Sequence, residues 1–319
     1  MIEEILKLPQ VRPLSEAQAE RAADFAAYDN LFLEAREGYL CLFQPYRPLV
    51  VNDPALAFVD GYYDAYQRLY RAKGQVLALI RTSYPNATAY HGSYKALLCT
   101  LGLGTCLRNT LLYLPPFGTF FCVEIIDLLG KGAEAQIRTH RYDPACDSCG
   151  LCARACPTGA LSDSAFACEK CIRQWQFGMA DLADTRARAC LENRVLGCNR
   201  CQLVCPRNRE AVQKHTAPDA SYRAHFDLDE MARVCCAPNF KDSYYAGIVG
   251  KNYAKPMKLL GFVLSAMLHH DGAAHLPAVR ACLAMGNPNA KPLLRQYLAL
   301  CGEGETGSKL SRTETCEEL

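Results

Sequence analysis

The sequence predicts an α+β protein in three parts, and three observations carry that reading. Cysteines crowd into two short runs, at 146–156 and 198–205, set in chain without a long apolar period. Ahead of them, β-rich runs alternate with amphipathic helical stretches. Behind them, apolar helices follow one another to residue 301. The division this gives is an N-terminal α+β domain over 1–142, a cysteine-rich domain over 143–215 and a helical tail over 216–301. The end, 302–319, is polar and Glu-rich and has the composition of a disordered segment.

Taken in order, residues 1–38 read as helix. Ser15 followed by Gln18 resembles a capping box, and the Ala-rich run to Glu37 favours helix. Residues 39–43 are a short apolar run before Gln44-Pro45, which predicts a strand, and Pro45, Pro48 and Pro54 then mark a loop. Phe58, Tyr62, Tyr66, Leu69 and Tyr70 recur at helical spacing, so a helix with an aromatic face is expected, ended by Gly74. A stripe of this kind is more often core than cofactor box. Tyr84-Pro85-Asn86 is a turn, and residues 93–101 form a short helix leading into Gly102-Leu103-Gly104. Residues 110–114 and 119–126 are β-rich around Pro115-Pro116-Phe117-Gly118, which predicts a hairpin. Beyond Asp229 the pattern is helical, with helices over 258–269, 278–284 and 291–300. Their succession suggests a HEAT-like helical-repeat tail, although no clean repeat period is visible.

The chemistry lies in the cysteines. The first run, C-D-S-C-G-L-C-A-R-A-C-P, sets Cys146, Cys149, Cys152 and Cys156 in the C-x2-C-x2-C-x3-C-P spacing of bacterial-type ferredoxins. The second, C-N-R-C-Q-L-V-C-P, repeats that ending with Cys198, Cys201 and Cys205. A [4Fe–4S] cube needs a thiolate at each of four corners. A short loop wraps three of them around it, and in two-cluster ferredoxins the Cys before Pro ligates the other cluster. That rule gives Cys146, Cys149, Cys152 and Cys205 to one cluster. It gives Cys156, Cys198 and Cys201 to a second, which needs one more ligand. Cys168 and Cys171 stand between the runs, and Cys171 is favoured. The expectation is two [4Fe–4S] clusters in a ferredoxin-like domain. A pair of structural zinc sites is the plainer alternative. Such sites are closed by two C-x2-C pairs or by His, which three cysteines in one run and a repeated Cys-Pro match poorly. Neither run has the C-x3-C-x2-C order of radical-SAM chemistry.

Hydrophobic content of 50% with 21% charged residues fits a globular chain and excludes a disordered one. The net charge of +2 selects no class of partner. Residues 171–215 nevertheless carry eight Lys and Arg against four acids. A basic patch there suits a polyanion or an acidic redox protein, and a solvated face explains it equally well. Nineteen cysteines in a chain of this length do not form the disulfide framework of a small secreted domain, so a reducing, cytoplasmic setting is expected. The start, M-I-E-E-I-L-K-L-P, lacks the basic and apolar regions of a signal peptide, and no membrane partner is expected.

Gly102-Leu103-Gly104 opens no dinucleotide fingerprint, because position 107 is Leu and the preceding element reads as helix. The glycines instead permit close backbone approach by a bulky ligand. His269-His270 sit at a helix end, where solvation or interaction with the helix dipole is the default role. His91 lies in T-A-Y-H-G-S-Y, a loop rich in proton donors, and can serve as acid or base near neutral pH. A lone loop His is more often structural.

With G-L-G-T-C-L-R-N-T-L-L-Y ahead of the first run, P-T-G-A-L closing it, and G-C-N-R-C-Q-L-V-C-P-R-N-R as the second, the chain resembles the epoxyqueuosine reductase family. The likeness is strong over 143–210 and fair over 92–130. It implies a cobalamin-binding α+β domain joined to a double [4Fe–4S] domain, an architecture similar to that of reductive dehalogenases. It implies that Cys171, which opens a Cys-Ile pair, completes the second cluster. It also implies that Gly102, Leu103, Gly104 and Asn109 lie against the corrinoid. The activity implied is reductive removal of the epoxide oxygen from epoxyqueuosine in tRNA, with electrons from a low-potential donor. Arg194, Arg200, Arg207 and Arg209 would help to hold the tRNA backbone.

The chain departs from the family pattern in two places. An acidic residue is expected shortly before Gly-Leu-Gly, yet residues 82–104 contain neither Asp nor Glu. Their proton donors are Tyr84, Tyr90, His91 and Tyr94. His91 is the expected catalytic acid, since its unperturbed pKa lies nearest neutrality. The usual Gly-Lys before Asn is Leu107-Arg108 here. The alternatives are a ferredoxin-type electron carrier, a reductive-dehalogenase-like reductase of another substrate, and a tRNA-binding protein with structural clusters.

Overall fold

The structure, a computed structural model, describes residues 5, 7, 11–19, 30–130, 132, 142–162, 165–213, 217–253 and 255–303. Its N-terminal part is built on a mixed sheet of β1 (Val11–Pro13), β2 (Leu31–Arg36), β3 (Tyr39–Pro45), β8 (Phe121–Asp127) and β5 (Thr88–Ala89), in that order across the sheet. β1 leads into a short helix, α1 (Leu14–Ala19), and runs parallel to β2, whereas the other pairings are antiparallel. Glu37 and Gly38 join β2 to β3 with φ of +53° and +87°, the two left-handed residues that a tight hairpin turn requires.

β3 is buried at every position because both faces of the sheet are covered. On one face Leu40, Leu42 and Ile126 pack against Ala65, Leu69 and Ile80 of α2 (Tyr62–Ile80). On the other, Cys41, Phe43 and Ile125 pack against Leu97 and Leu98 of α3 (Tyr94–Thr100) and against Leu101 and Leu103 just after it.

Three local expectations are corrected. Residues 1–38 are not one helix: where described, they are mainly β1, α1 and β2, and Ser15 sits inside α1 instead of capping it. Leu31, Phe32 and Leu33 are buried, and pairing with β3 outweighs the helix propensity of an Ala- and Glu-rich segment. The rest of that span, 1–4, 6, 8–10 and 20–29, lies outside the described residues. Phe58 belongs to β4 (Phe58–Val59), and the helix begins at Tyr62 and passes through Gly74 to Ile80. A side chain at 74 would meet open space, and one exposed glycine costs a helix only about 1 kcal/mol. The predicted hairpin is divided. β7 (Leu112–Tyr113) pairs with β6 (Thr105–Cys106), while residues 121–126 belong to the main sheet; Leu114 and Gly118 still meet across the turn.

The cysteine-rich segment carries α4 (Leu151–Arg154), α5 (Ile172–Trp175), α6 (Thr185–Leu191), β9 (Arg194–Leu196) and α7 (Arg200–Leu203). β9 pairs in parallel with β4, and the backbone N–H groups of Phe58 and Asp60 donate to Asn193 (2.7 Å) and Leu196 (2.9 Å). This ladder fixes the start of the second cysteine run beside the N-terminus of α2. The C-terminal helices include α8 (Leu228–Cys236), α9 (Pro256–His270), α10 (Leu276–Ala284) and α11 (Lys291–Leu300). α9 is buried continuously from Lys258 to Met267, as a helix at the centre of a packed group must be. Its Leu260 and Val263 share one core with Val59, Ile172, Val195, Leu228, Val279 and Tyr297. That core holds the cysteine-rich segment against both its neighbours. Among the described residues no helix is long and apolar enough to cross a membrane; of residues 302–319, read as disordered, 304–319 lie outside the described residues.

Candidate metal centre and its surroundings

Cys146 ends a single 3-10 turn, Pro144–Cys146, whose N-cap Asp143 accepts the N–H of Ala145 at 2.9 Å. Gly150 follows Cys149 with φ of +61°, a left-handed turn that starts α4 and brings Cys152 back toward Cys146 and Cys149. Cys205, from the second run, caps the turn Pro206–Asn208. Cys146, Cys149, Cys152 and Cys205 line a single cleft enclosing about 490 Å3 of empty space, part of it open to solvent. Leu107, Arg108 and Asn109 line the same cleft. Among the described residues no three Cys, His, Asp or Glu converge as ligands of one metal ion would; these thiols surround a space.

Cys156, Cys171, Cys198 and Cys201 form a second neighbourhood. Burial pushes the Cys201 thiol well up, and Cys198, Cys152, Cys171 and Cys156 push it further by charge repulsion. Burial also raises Cys198, which feels Cys171 and the carboxylate of Asp60, while Arg194 opposes the rise. Cys156 differs. Burial raises it, but the Thr158 hydroxyl at 3.5 Å and the N–H groups of Thr158, Leu161 and Ala160 outweigh burial and hold its pKa down. Amide N–H groups aimed at sulfur favour the thiolate, which is the form that binds metal. Cys171 caps α5, whereas Cys168 is exposed, with its Sγ 3.9 Å from Gln174 Oε1.

Buried amides, which no sequence motif marks, fix both runs. Gln176, fully buried, accepts the N–H of Gly197 (2.7 Å) and donates to Arg194 O (3.1 Å). Asn208 donates to Thr119 Oγ1 and accepts the Thr119 N–H, both at 2.9 Å. Asn109 donates to Cys201 O at 3.4 Å, so the loop after α3 touches the second run. In that loop Gly102 is left-handed at φ +69°, and a Cβ at Gly104 would lie 2.9 Å from Leu112 Cγ. Close packing by the protein itself therefore already demands glycine at 104. Leu103 is buried.

Two carboxylates are buried, Asp60 beside the cysteine-rich segment and Glu124 within the sheet. Asp60 is 3% exposed and its Oδ2 has no hydrogen-bond partner among the described residues; burial raises its pKa, and the Arg173 charge opposes that rise. The Arg173 guanidinium lies 4.4 Å from the centre of the Tyr62 ring. Farther along β8, Glu124 is 2% exposed, and its Oε2 accepts from Lys73 Nζ at 2.8 Å and Tyr94 Oη at 2.9 Å. Glu124 stands in an apolar strand, where alternation marks it only as one residue on a covered face. His91 is exposed on the loop before α3. Of the four arginines assigned to tRNA, Arg194 and Arg200 both pair with Glu192, and Arg207 pairs with Asp143, while Arg209 is exposed.

A family model described as a 4Fe-4S double cluster binding domain matches residues 145–208. An epoxyqueuosine reductase from Listeria monocytogenes is 35% identical over 112 residues, which cover 34% of this chain and 27% of that protein. The chain spans less than two thirds of the length of the curated epoxyqueuosine reductases that it matches in this way. The epoxyqueuosine reductase of Bacillus subtilis, solved with the aspartate of its catalytic loop swung out of the active site, is 20% identical. It superposes with a TM-score of 0.60 over 83% of this chain and 72% of that one. An epoxyqueuosine reductase solved with an epoxyqueuosine-modified tRNA-Tyr stem loop gives 0.59 at 22% identity, over 82% and 72% of the two chains. The resemblance to the epoxyqueuosine reductases carried by the cysteine runs holds in sequence and in fold.

Proposed function

We propose that the protein is an oxidoreductase of the epoxyqueuosine reductase type. One [4Fe–4S] cluster is held by Cys146, Cys149, Cys152 and Cys205, and the other by Cys156, Cys171, Cys198 and Cys201. The observation that carries this reading is the cleft in which Cys205 joins three cysteines more than fifty positions earlier, beside Leu107 and Asn109. Thiolates suit iron–sulfur clusters, and a fourth ligand borrowed from the other run is the two-cluster pattern. On this reading residues 143–215 are a ferredoxin-like unit, residues 1–142 hold cofactor and substrate, and the helices of 216–301 form a HEAT-like buttress.

Gly102, Leu103, Gly104 and Asn109 would hold a cobalamin, which supplies the two-electron reducing chemistry when bound. Support comes from Asn109, which borders the first cleft and touches Cys201 of the second group. The substrate is epoxyqueuosine in tRNA, the ligand type named for a relative of the same fold. Two electrons and two protons convert the epoxide to an alkene and water: both C–O bonds break and a C=C bond forms. A low-potential cytoplasmic donor supplies the electrons singly. Arg209 is exposed for a phosphate contact, and Arg207 keeps part of its surface while paired.

Anaerobic incubation with epoxyqueuosine-containing tRNA, cobalamin and a low-potential reductant tests the reading. The expected product is a nucleoside lighter by one oxygen, lost in Cys201→Ser. No conversion by protein with full clusters would favour the electron-carrier reading, which the lack of Asp and Glu in 82–104 otherwise supports.

A further inference from the structure

We propose that Cys99 and Cys106 are a redox-sensitive pair, which a low-molecular-weight disulfide converts to a reversible Cys99–Cys106 disulfide that clamps the Gly102–Gly104 loop. The disulfide needs only the pair; its effect on a cofactor rests on the functional reading above.

The two sulfurs lie 3.4 Å apart. Cys99 is in the last turn of α3, Cys106 ends β6, and Gly102, Leu103 and Gly104 lie between them. The chain reverses there in a Schellman turn. The Leu103 N–H donates to Leu98 O at 2.8 Å around left-handed Gly102, and the strand that follows returns Cys106 to the helix end. A disulfide holds its sulfurs about 2.05 Å apart, so closure draws these two together by about 1.4 Å.

That movement has somewhere to go. Cys106 is paired with Leu112, the residue against which Gly104 packs so closely. The Cys106 carbonyl accepts the Asp143 N–H at 2.9 Å, and Asp143 caps the turn that carries Cys146. A shift of Cys106 therefore reaches the glycine loop and the first cysteine run together.

Access separates this pair from the other thiols in contact. Cys236 also hydrogen-bonds Cys282, but each is only 2% exposed. Cys99 is half-buried and can meet a reagent, whereas Cys106, 2% exposed, faces Cys99. Burial, then the hydrogen bond to Cys99 and the Cys99 charge, hold the proton on Cys106, against the pull of Lys95. The Cys99 charge is lost once its sulfur is bonded to another thiol, while the Lys95 charge stays. Cys106 thus ionises more readily when it has to attack.

With oxidised glutathione as the reagent, the Cys99 sulfur attacks one of its sulfurs. The glutathione S–S bond breaks, and the first glutathione leaves with the Cys99 proton. Cys106 then attacks the Cys99 sulfur and displaces the second glutathione, which takes the Cys106 proton. Two protein thiols are oxidised and one small disulfide is reduced. Disulfides in a reducing compartment are mostly of this transient, sensing kind.

The test uses protein whose clusters are verified by electron paramagnetic resonance, treated with oxidised glutathione without oxygen, then alkylated and digested with trypsin. Cleavage after Lys95 and Arg108 frees residues 96–108, which contain no other cysteine. That peptide should carry no alkyl group and be lighter by two hydrogens, with iron content unchanged, and dithiothreitol should restore alkylation at both positions. Cys106→Ser should trap glutathione on Cys99, and Cys99→Ser should leave Cys106 free. A doubly alkylated peptide after oxidation, or closure only in protein that has lost iron, overturns the disulfide. Glutathione on Cys106 in Cys99→Ser overturns the order of attack. Cobalamin titration followed by absorbance reads the clamp: oxidation should weaken binding about 5-fold or more in the wild type and leave Cys99→Ser unchanged. Equal affinity in both states overturns the clamp. If the reduced wild type binds no cobalamin, the functional reading fails, and the peptide mass still decides the disulfide.

Discussion

Arg207 Nη2 lies 2.6 Å from Asp143 Oδ2, and this ion pair ties the two cysteine runs together. Asp143 caps the turn that carries Cys146, and Arg207 stands two residues after Cys205. The guanidinium hydrogen bond holds the Asp143 carboxyl below the usual carboxylate range. Arg207→Ala leaves that carboxylate, 9% exposed, without its cation, at a cost of about 1–3 kcal/mol. The expected outcome is loss of the cluster on Cys146, Cys149, Cys152 and Cys205 with the other retained. Iron analysis after anaerobic reconstitution should fall to about half the wild-type value, and an unchanged value would count against the pair's role.

The crossover of ligands predicts an inverted pattern of damage. Cys205→Ser should disturb the cluster bound by the first run, although Cys205 lies in the second. Cys171→Ser should disturb the other cluster, and Cys168→Ser, at an exposed position, should disturb neither. Electron paramagnetic resonance of the three variants reads this directly.

Gly104 is predicted to be intolerant for reasons of packing. A Cβ there would stand 2.9 Å from Leu112 Cγ, so Gly104→Ala should cost about 1–3 kcal/mol in denaturant unfolding. Leu112→Ala opens the space, and the double variant should recover part of that loss, a coupling of about 0.5–3 kcal/mol. Strict additivity would place the strain elsewhere.

Alkaline stability should depend on Cys41. Burial, and then Glu34, push this fully buried thiol up to about 12, against the pull of Arg36. The unfolded chain ionises first, near the ordinary thiol value of about 8.5. Stability from the neutral thiol is therefore complete below that pH and is lost as pH climbs toward 12. Urea midpoints at about pH 8 and about pH 10.5 should fall less in Cys41→Ala than in the wild type. Cys122 and Cys235, also raised by burial, should keep part of the slope.

What the sequence reveals follows from how local each feature is. Cysteine spacing is legible because the proposed cube would take three of its corners from a single short loop. The strand at 39–43 is legible because β3 is a short apolar run that ends at a proline. The strand at 31–36 is not, because its identity comes from pairing with β3 and not from its Ala- and Glu-containing composition. Phe58 matches the helical period of Tyr62 and Tyr66 yet belongs to β4, since its pairing partner Arg194 lies 136 positions away in sequence. Glu124 and Asp60 are silent for the same reason. A carboxylate becomes notable only when folding buries it beside Lys73 and Tyr94, or beside Arg173.

The central claim is that the two cysteine runs build two four-iron clusters, and metal content tests it most directly. Protein reconstituted without oxygen should hold about eight iron and about eight sulfide per chain, with the resonance of two interacting reduced clusters. About two zinc per chain with neither iron nor sulfide would contradict it.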